Sequence, residues 1–257
     1  MNTVLKGCLV TGYGSKLAVG WEVVYEDLAT KKLAIRSKAT KSIKSVLLIN
    51  DTGSHNVSVT ASIAWNIATN TSADTFGSGV FPRPSGTITT PAWVVIATDS
   101  FFYVWVQYAT GVNYGIISGF GDVIPVGLST DLSVLLTKSA SGNNEFILSA
   151  SNSGQCRFPR VPMLTGINGF GDVDSASPSH ASDIAIFSRC VMYMLTNATW
   201  QPRFELPGLL MPYSEKKYVT TDPILFPLAN QAPYFNPLVA LHQPFQGNFW
   251  LHTDDWG

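Results

Sequence analysis

Residues 56–65 read NVSVTASIAW, and their alternation decides the fold class. Val57, Val59, Ala61, Ile63 and Trp65 fall on one face of an extended chain, with Asn56, Ser58, Thr60 and Ser62 on the other. A period of two marks a strand with one face buried. The preceding LLINDTGSHN places Asp51-Thr52-Gly53 between two β-rich runs, so residues 45–65 are expected to form a hairpin. A second hairpin follows by the same logic. AWVVIAT (92–98) and FFYVWVQY (101–108) are joined by a short Asp99-Ser100 turn, and both arms are rich in β-branched and aromatic residues.

Working outward, residues 4–10, 21–25, 31–36, 114–118, 132–137, 145–150, 184–187 and 190–195 are further strand candidates. Gly, Asn, Ser and Pro separate them, and no segment longer than about two turns carries a 3.6-residue period. Short strands between turn residues predict an all-β protein, an antiparallel β-sandwich-like body over residues 1–199 with little helix. From Trp200 the character changes. Residues 200–257 hold 8 of the 15 prolines, in runs such as LPGLLMPY and PLANQAPYFNPL. Proline removes ladder donors and favours extended backbone, yet this stretch is also apolar and aromatic. The expectation is an extended, Pro-rich C-terminal arm docked on its own body or on a neighbour. Trp200, Phe204, Tyr234, Phe235, Phe245, Trp250 and Trp256 are its candidate interface residues.

Only 13% of the 257 residues are charged, against 46% hydrophobic and 12% aromatic, and the net charge is −1. An average chain carries about 25% charge. Disorder does not account for the deficit, because disorder goes with few aromatics and high net charge. A large core is one account; the other is a surface that lies against partner subunits, where charge is depleted and aromatics are enriched. Cys8, Cys156 and Cys190 are an odd number without close spacing. That pattern predicts neither a disulfide framework nor a zinc site, and a reduced compartment for folding. The opening MNTVLKGCLVTGYG lacks the parts of a secretory signal, and no run approaches a membrane span, so no membrane partner is expected.

Chemistry has few candidates. KKLAIRSKATKSIK (31–44) carries six basic groups and no acid, the pattern of a phosphate-contacting patch. It lacks interleaved aromatics, and a solvated strand with its loop accounts for it equally, so no nucleic-acid partner is expected. His55, His180, His242 and His252 form no metal-ligand spacing. GxSxG is absent, no carboxylate pair stands out, and neither Cys156 nor Cys190 has the surroundings of a nucleophile in the sequence. No enzymatic activity and no cofactor or metal are expected.

GFGDV occurs twice, at 119–123 and 169–173. A phosphate-binding glycine loop should end a strand and open a helix, but both copies run on into Pro/Ser loops and β-rich stretches. Asp172, Asp174 and Asp183 do not have the spacing of an EF-hand. Gly119, Gly121, Asp122, Gly169, Gly171 and Asp172 are therefore read as structural turns at strand ends. In that reading Phe120 and Phe170 plug the core, and the aspartates cap the turns. The repeat raises the question of two related β halves, although the flanks beyond the motif align weakly.

Several landmarks taken together carry a resemblance: KGCLVTGYGSKLAVGWEVVYED, PAWVVIATDSFFYVWVQY, the SGFGDV after it, and LPGLLMPY. The chain resembles a family of tailed-bacteriophage virion structural proteins of the minor tail or baseplate type, over most of its length. It departs at its end, HTDDWG, where the family often finishes near Gly-Pro-Trp. The resemblance implies a structural subunit of tail, collar or baseplate, located in the virion after synthesis in the host cytoplasm, with no catalytic residues to transfer. Its partners would be copies of itself and other virion proteins. Two alternatives stand beside it. One is a capsid decoration or head–tail joining protein. The other is a host-surface glycan-binding module whose exposed aromatics, in loops such as ATGVNYG (109–115), would stack on sugar rings.

Overall fold

In a computed structural model of the chain, the residues described are 1–53, 56–83, 93–107, 115–127, 133–138, 144–148, 155–156, 187–196, 199–212, 234–235 and 250–252. They are predominantly antiparallel β. Five strands, β1 (Trp21–Asp27), β2 (Lys32–Ser37), β3 (Val46–Asn50), β4 (Asn56–Asn66) and β5 (Thr71–Pro82), pair in chain order as a meander. A second leaf is built from β6 (Trp93–Ala97), β7 (Phe101–Gln107), β8 (Gly115–Asp122), β10 (Ser133–Lys138), β11 (Asn144–Leu148) and β12 (Gln155–Cys156). Strand β10 joins the leaves. It pairs with β8 from Ser133 to Leu136, while Lys138 at its end pairs with Val80 of β5. The Thr137 hydroxyl secures the junction by donating to the Val80 carbonyl at 2.7 Å. Strands that pass from one leaf to the other in this way make the corners of sandwiches.

The two leaves face each other. Leu33, Ile35, Leu47, Ile49, Val57, Val59 and Ala61 of the first pack with Phe102, Val104, Phe120 and Leu135 of the second in one buried cluster. The alternation in NVSVTASIAW supplies three of these residues. It stops meaning burial at Ile63, where β4 overhangs its partner: β3 pairs with β4 only from Ser58 to Ser62.

Residues 4–10, read from the sequence as a strand, are helical. Helix α1 (Asn2–Lys6) continues into a π-helical turn, Gly7–Thr11. Leu5 and Leu9, four residues apart and so on one helical face, are fully buried in the sandwich core. The segment fills the open side between β1 and β6, which a further strand would not cover. After it, Tyr13 meets the Trp93 ring edge-on at 5.2 Å, and a Cβ on Gly20 would lie 3.2 Å from the Cβ of Asp99. Residues 13–20 thus run beside β6, an apolar edge strand without charge, and blunt it as loops commonly do. The Trp21 indole completes the closure by donating to the Thr98 carbonyl at 2.8 Å.

A third layer explains why FFYVWV is apolar without alternation. Phe102, Val104 and Val106 face the main core, and Phe101 and Tyr103 are equally buried on the other face of β7. A strand buried on both sides reads as a continuous apolar run. On that second face lies a smaller sheet of β13 (Phe187–Thr196), β14 (Thr199–Pro212), β15 (Tyr234–Phe235) and β16 (Trp250–His252), with β9 (Ile124–Pro125) added to β14. The Tyr103 hydroxyl donates to the Pro207 carbonyl at 2.9 Å, and Met192, Phe204 and Leu206 are buried. Residues 200–212, assigned by proline content to the extended arm, are extended and paired with β13 as a hairpin. Pro202 and Pro207 sit at the two places where that register shifts, so neither breaks a regular ladder.

Candidate functional site

The end of β8 carries the first GFGDV. Phe120 is fully buried, its ring 6.1 Å from Trp21 and 6.4 Å from Phe102. The flanking glycines do not form a turn. They lie in the ladder, Gly119 opposite Tyr103 and Leu136, Gly121 opposite Phe101 and Val134. Their role is close approach. A Cβ on Gly119 would sit 2.7 Å from the Phe102 carbonyl oxygen, and one on Gly121, at φ +143°, 2.2 Å from that of Ser100. The turn reading of these two glycines is thereby corrected: both are ladder residues, and backbone oxygens of Phe102 and Ser100 come too close for a Cβ.

Asp122 is the last residue of the strand. Its amide donates to the Ser100 carbonyl at 2.9 Å. Its carboxylate accepts from the Ser42 hydroxyl and the Ile43 amide, so it secures the β2–β3 loop rather than a turn of its own. Burial raises its pKa above the ordinary carboxylate value. Asp99 adds to that rise, while Ser42, Ile43 and Lys44 oppose it. The Lys44 ammonium is committed to the carbonyls of Ala39 at 2.5 Å and Ser37 at 3.3 Å. Behind Asp122, the Ser133 hydroxyl donates to the Gly121 carbonyl at 2.9 Å and lies 2.8 Å from the Ser45 hydroxyl. This is a polar clasp that closes one end of the sandwich. Its groups are occupied with one another, so it offers neither a free nucleophile nor an acid aimed at a cleft.

The basic run of residues 31–44 is not one patch. Lys31 lies at the opposite end of the sandwich, where its carbonyl accepts from the Asp51 amide at 3.0 Å. Arg36 pairs with Glu22 at 2.6 Å, and Lys38, Lys41 and Lys44 belong to the loop at the Asp122 end. Six residues of strand β2 separate the groups, roughly 20 Å at the rise of a β-strand. The end that holds Lys31 is closed by Asp51, whose carboxylate takes both the Met1 ammonium, at 3.0 Å, and the Arg83 guanidinium. Burial lowers the pKa of that ammonium, and the charge of Arg83 lowers it further.

The aromatic interface set divides. Phe204 is fully buried within the chain's own fold and is corrected from interface to core: alternation turns it inward together with Leu206. Trp200 lies in β14, Tyr234 and Phe235 in β15, and Trp250 in β16, all within the third sheet. Phe245, Trp256, Gly169, Gly171, Asp172 and the loop 109–114 lie outside the described residues, as do His55, His180 and His242. Cys8 is half-buried, and burial pushes its thiol pKa up, the reverse of an activated nucleophile. Among the described residues no group of three or more His, Cys, Asp or Glu could hold a metal ion.

The apolar side chains offered to solvent are others. Leu17, Leu28 and Ile67 are 87%, 82% and 76% exposed, and Tyr13 is half-exposed. Leu28 and Ile67 occupy equivalent places in two five-residue hairpin stretches, Asp27-Leu28-Ala29-Thr30-Lys31 and Asn66-Ile67-Ala68-Thr69-Asn70. In the first, Asp27 accepts from the amides of Ala29 at 2.9 Å and Thr30 at 3.1 Å; in the second, Asn66 accepts from Ala68 at 3.0 Å and Thr69 at 3.2 Å. Each loop closes on a residue at φ +52°, Lys31 or Asn70. The side chain of the first residue holds the turn and leaves the aliphatic second residue at its tip. The recurring Asx-aliphatic-Ala-Thr pattern is the sequence signal for these tips. β1–β2 turns at the Asp51 end, whereas β4–β5 leaves the sheet from the Asp122 end, so the two tips belong to different hairpins. In comparison with known families and curated proteins, the chain matches no family model and no curated protein.

Proposed function

We propose that this chain is a structural subunit of a tailed-bacteriophage virion, in tail, collar or baseplate, that assembles with copies of itself and other virion proteins. The observation that carries the reading is the distribution of exposed apolar groups. Leu28 and Ile67 stand exposed on two different hairpin loops, and Leu17 stands exposed on the side where residues 13–20 cover β6. A glycan-binding module needs aromatics gathered at one end with polar partners. An assembly subunit needs apolar contacts on two or more faces, and each exposed aliphatic here would gain about 1.5–3 kcal/mol on full burial. The low charge of the chain and the resemblance of its landmarks to those of phage virion proteins support the same reading. A decoration or head–tail joining role uses the same surfaces and differs only in the neighbour.

The test is sedimentation of the purified chain against the variant L17S/L28S/I67S. All three positions are exposed, so the substitutions leave the core untouched. The expected outcome is concentration-dependent association of the parent chain that the variant loses. A parent chain that stays monomeric at every concentration, alone and with extracts of phage-infected cells, would overturn the reading.

A further inference from the structure

The outer half of the β4–β5 hairpin is an unusual element. Beyond Ser62, β4 has no β3 neighbour, and among the described residues its ladder partner is β5 alone. Strands β2 and β3 lie between β1 and β4 in the sheet, a separation of three strand spacings or roughly 14 Å. Yet the rings of Trp65 on β4 and Tyr25 on β1 are 5.8 Å apart, and neither residue belongs to the core cluster. The overhanging hairpin therefore bends across the outer face of the first leaf. Ala34 and Val46, buried but also outside the core cluster, agree with a cover on that face.

The bend has a hinge. The ladder shifts register between Ala61 and Ser62, where Phe76 is the extra residue on β5 and Gly77 faces Ala61. Asp74 just beyond it has φ +52°, a left-handed conformation within a strand. Bulges of this kind bend and twist a ribbon. The contact the arm makes is also incomplete. Trp65 and Ser72 are cross-strand partners, and the Trp65 indole nitrogen and Ser72 hydroxyl are both buried without a hydrogen-bond partner. Burying such groups unpaired weakens the contact that holds them.

We infer that the β4–β5 arm, residues 62–75, is exchangeable: it leaves its own β1 and docks on β1 of a second copy, reciprocally. The occupant is a second copy because the Tyr25 face that receives the arm is present on every chain. A swapped pair regains each arm contact, and exchange of identical elements is a low-cost route to a dimer. Two features ease the exchange. The arm pivots at one bulge, so the sandwich core stays closed, and the weakly satisfied Trp65 contact lowers the cost of leaving. Ile67 at the tip then crosses to the neighbour as well. The partner named here rests on the reading of the chain as a self-assembling subunit. A chain that associates only through Leu17 and Leu28 would fail the test below and leave that reading intact.

The experiment mixes two full-length variants carrying different tags, Tyr25→Cys and Trp65→Cys, and treats them with a short bismaleimide. A crosslinker suits the site better than a disulfide, which needs close and well-directed Cβ atoms. A reciprocal swap between these two variants places one native Tyr25–Trp65 pair on one side and the two substituted positions together on the other. Linked peptides joining positions 25 and 65 of different tags, read by mass spectrometry, report exchange and exclude the native cysteines. At low conversion the mixed fraction is expected to rise about tenfold for a tenfold rise in protein concentration, by mass action. The single-chain variant Tyr25→Cys/Trp65→Cys is expected to link within the chain at high dilution. The inference is overturned if that variant links only within its chain while the mixture never exceeds either variant mixed with parent chain. Failure of the single-chain variant to link at all would overturn it too, because the arm contact itself would be missing.

Discussion

Gly121 has no room for even one carbon. A methyl there would lie 2.2 Å from the Ser100 carbonyl oxygen and 2.6 Å from the Phe101 Cα, and φ is +143°. Both obstacles are backbone, so no side chain can turn aside. Gly121→Ala is expected to cost about 3 kcal/mol or more, combining a special φ with forced separation of β7 and β8. Urea unfolding measures it, and a loss below about 1 kcal/mol would show that the ladder relaxes easily. Its neighbour Asp122 makes a prediction about pH. Its carboxyl titrates above the ordinary value of 3.8 in the fold, chiefly through burial. The native state then holds the proton to higher pH than the unfolded chain does. Its contribution is complete below the unfolded pKa and is lost as pH rises through the folded one. Asp122→Asn is neutral throughout, so the melting temperature of the variant minus that of the parent should increase from pH 3 to pH 7. A difference that stays flat or falls would mean that Ser42 and the Ile43 amide outweigh burial.

At the scale of the element, the two matched hairpin loops show how far short-range chemistry reaches. Asp27 and Asn66 organise their turns through their own side chains, an arrangement open to any exposed hairpin. Both loops end in a left-handed residue that is not glycine. Lysine has no side-chain compensation for that conformation, whereas asparagine tolerates it better. Lys31→Gly is therefore expected to stabilise by about 0.5–1 kcal/mol, and Asn70→Gly by less. Thermal unfolding of the two variants checks the order, and a larger gain from Asn70→Gly would contradict it. The helix at residues 2–6 shows the opposite limit. VLKGCLV is short, apolar and β-branched, and its local pattern suits a strand as well as a helix. What selects the helix is the gap between β1 and β6, which takes Leu5 and Leu9 from one face.

At the scale of the molecule, three layers account for the composition. The second leaf is covered on one side by the first and on the other by the β13–β14 sheet, so its strands need almost no charge. Part of the charge deficit read from the sequence as interface is thus internal burial, as at Phe101, Tyr103 and Phe204. Strand β5 was not legible, because TSADTFGSGVFP has two glycines and no steady alternation. It is a strand because β4 pairs with it from Asn66 back to Asn56.

By itself the sequence determined the fold class, both principal hairpins and the burial of Phe120, since side-chain period and turn chemistry act over a few residues. Only the tertiary structure decided that Gly119 and Gly121 are points of backbone contact, that Asp122 clasps a loop eighty residues earlier, and that Phe204 is core. It also decided that the β4–β5 arm crosses to β1. Each of these depends on which strand lies next to which, and strand order follows from global packing of the leaves rather than from local pattern.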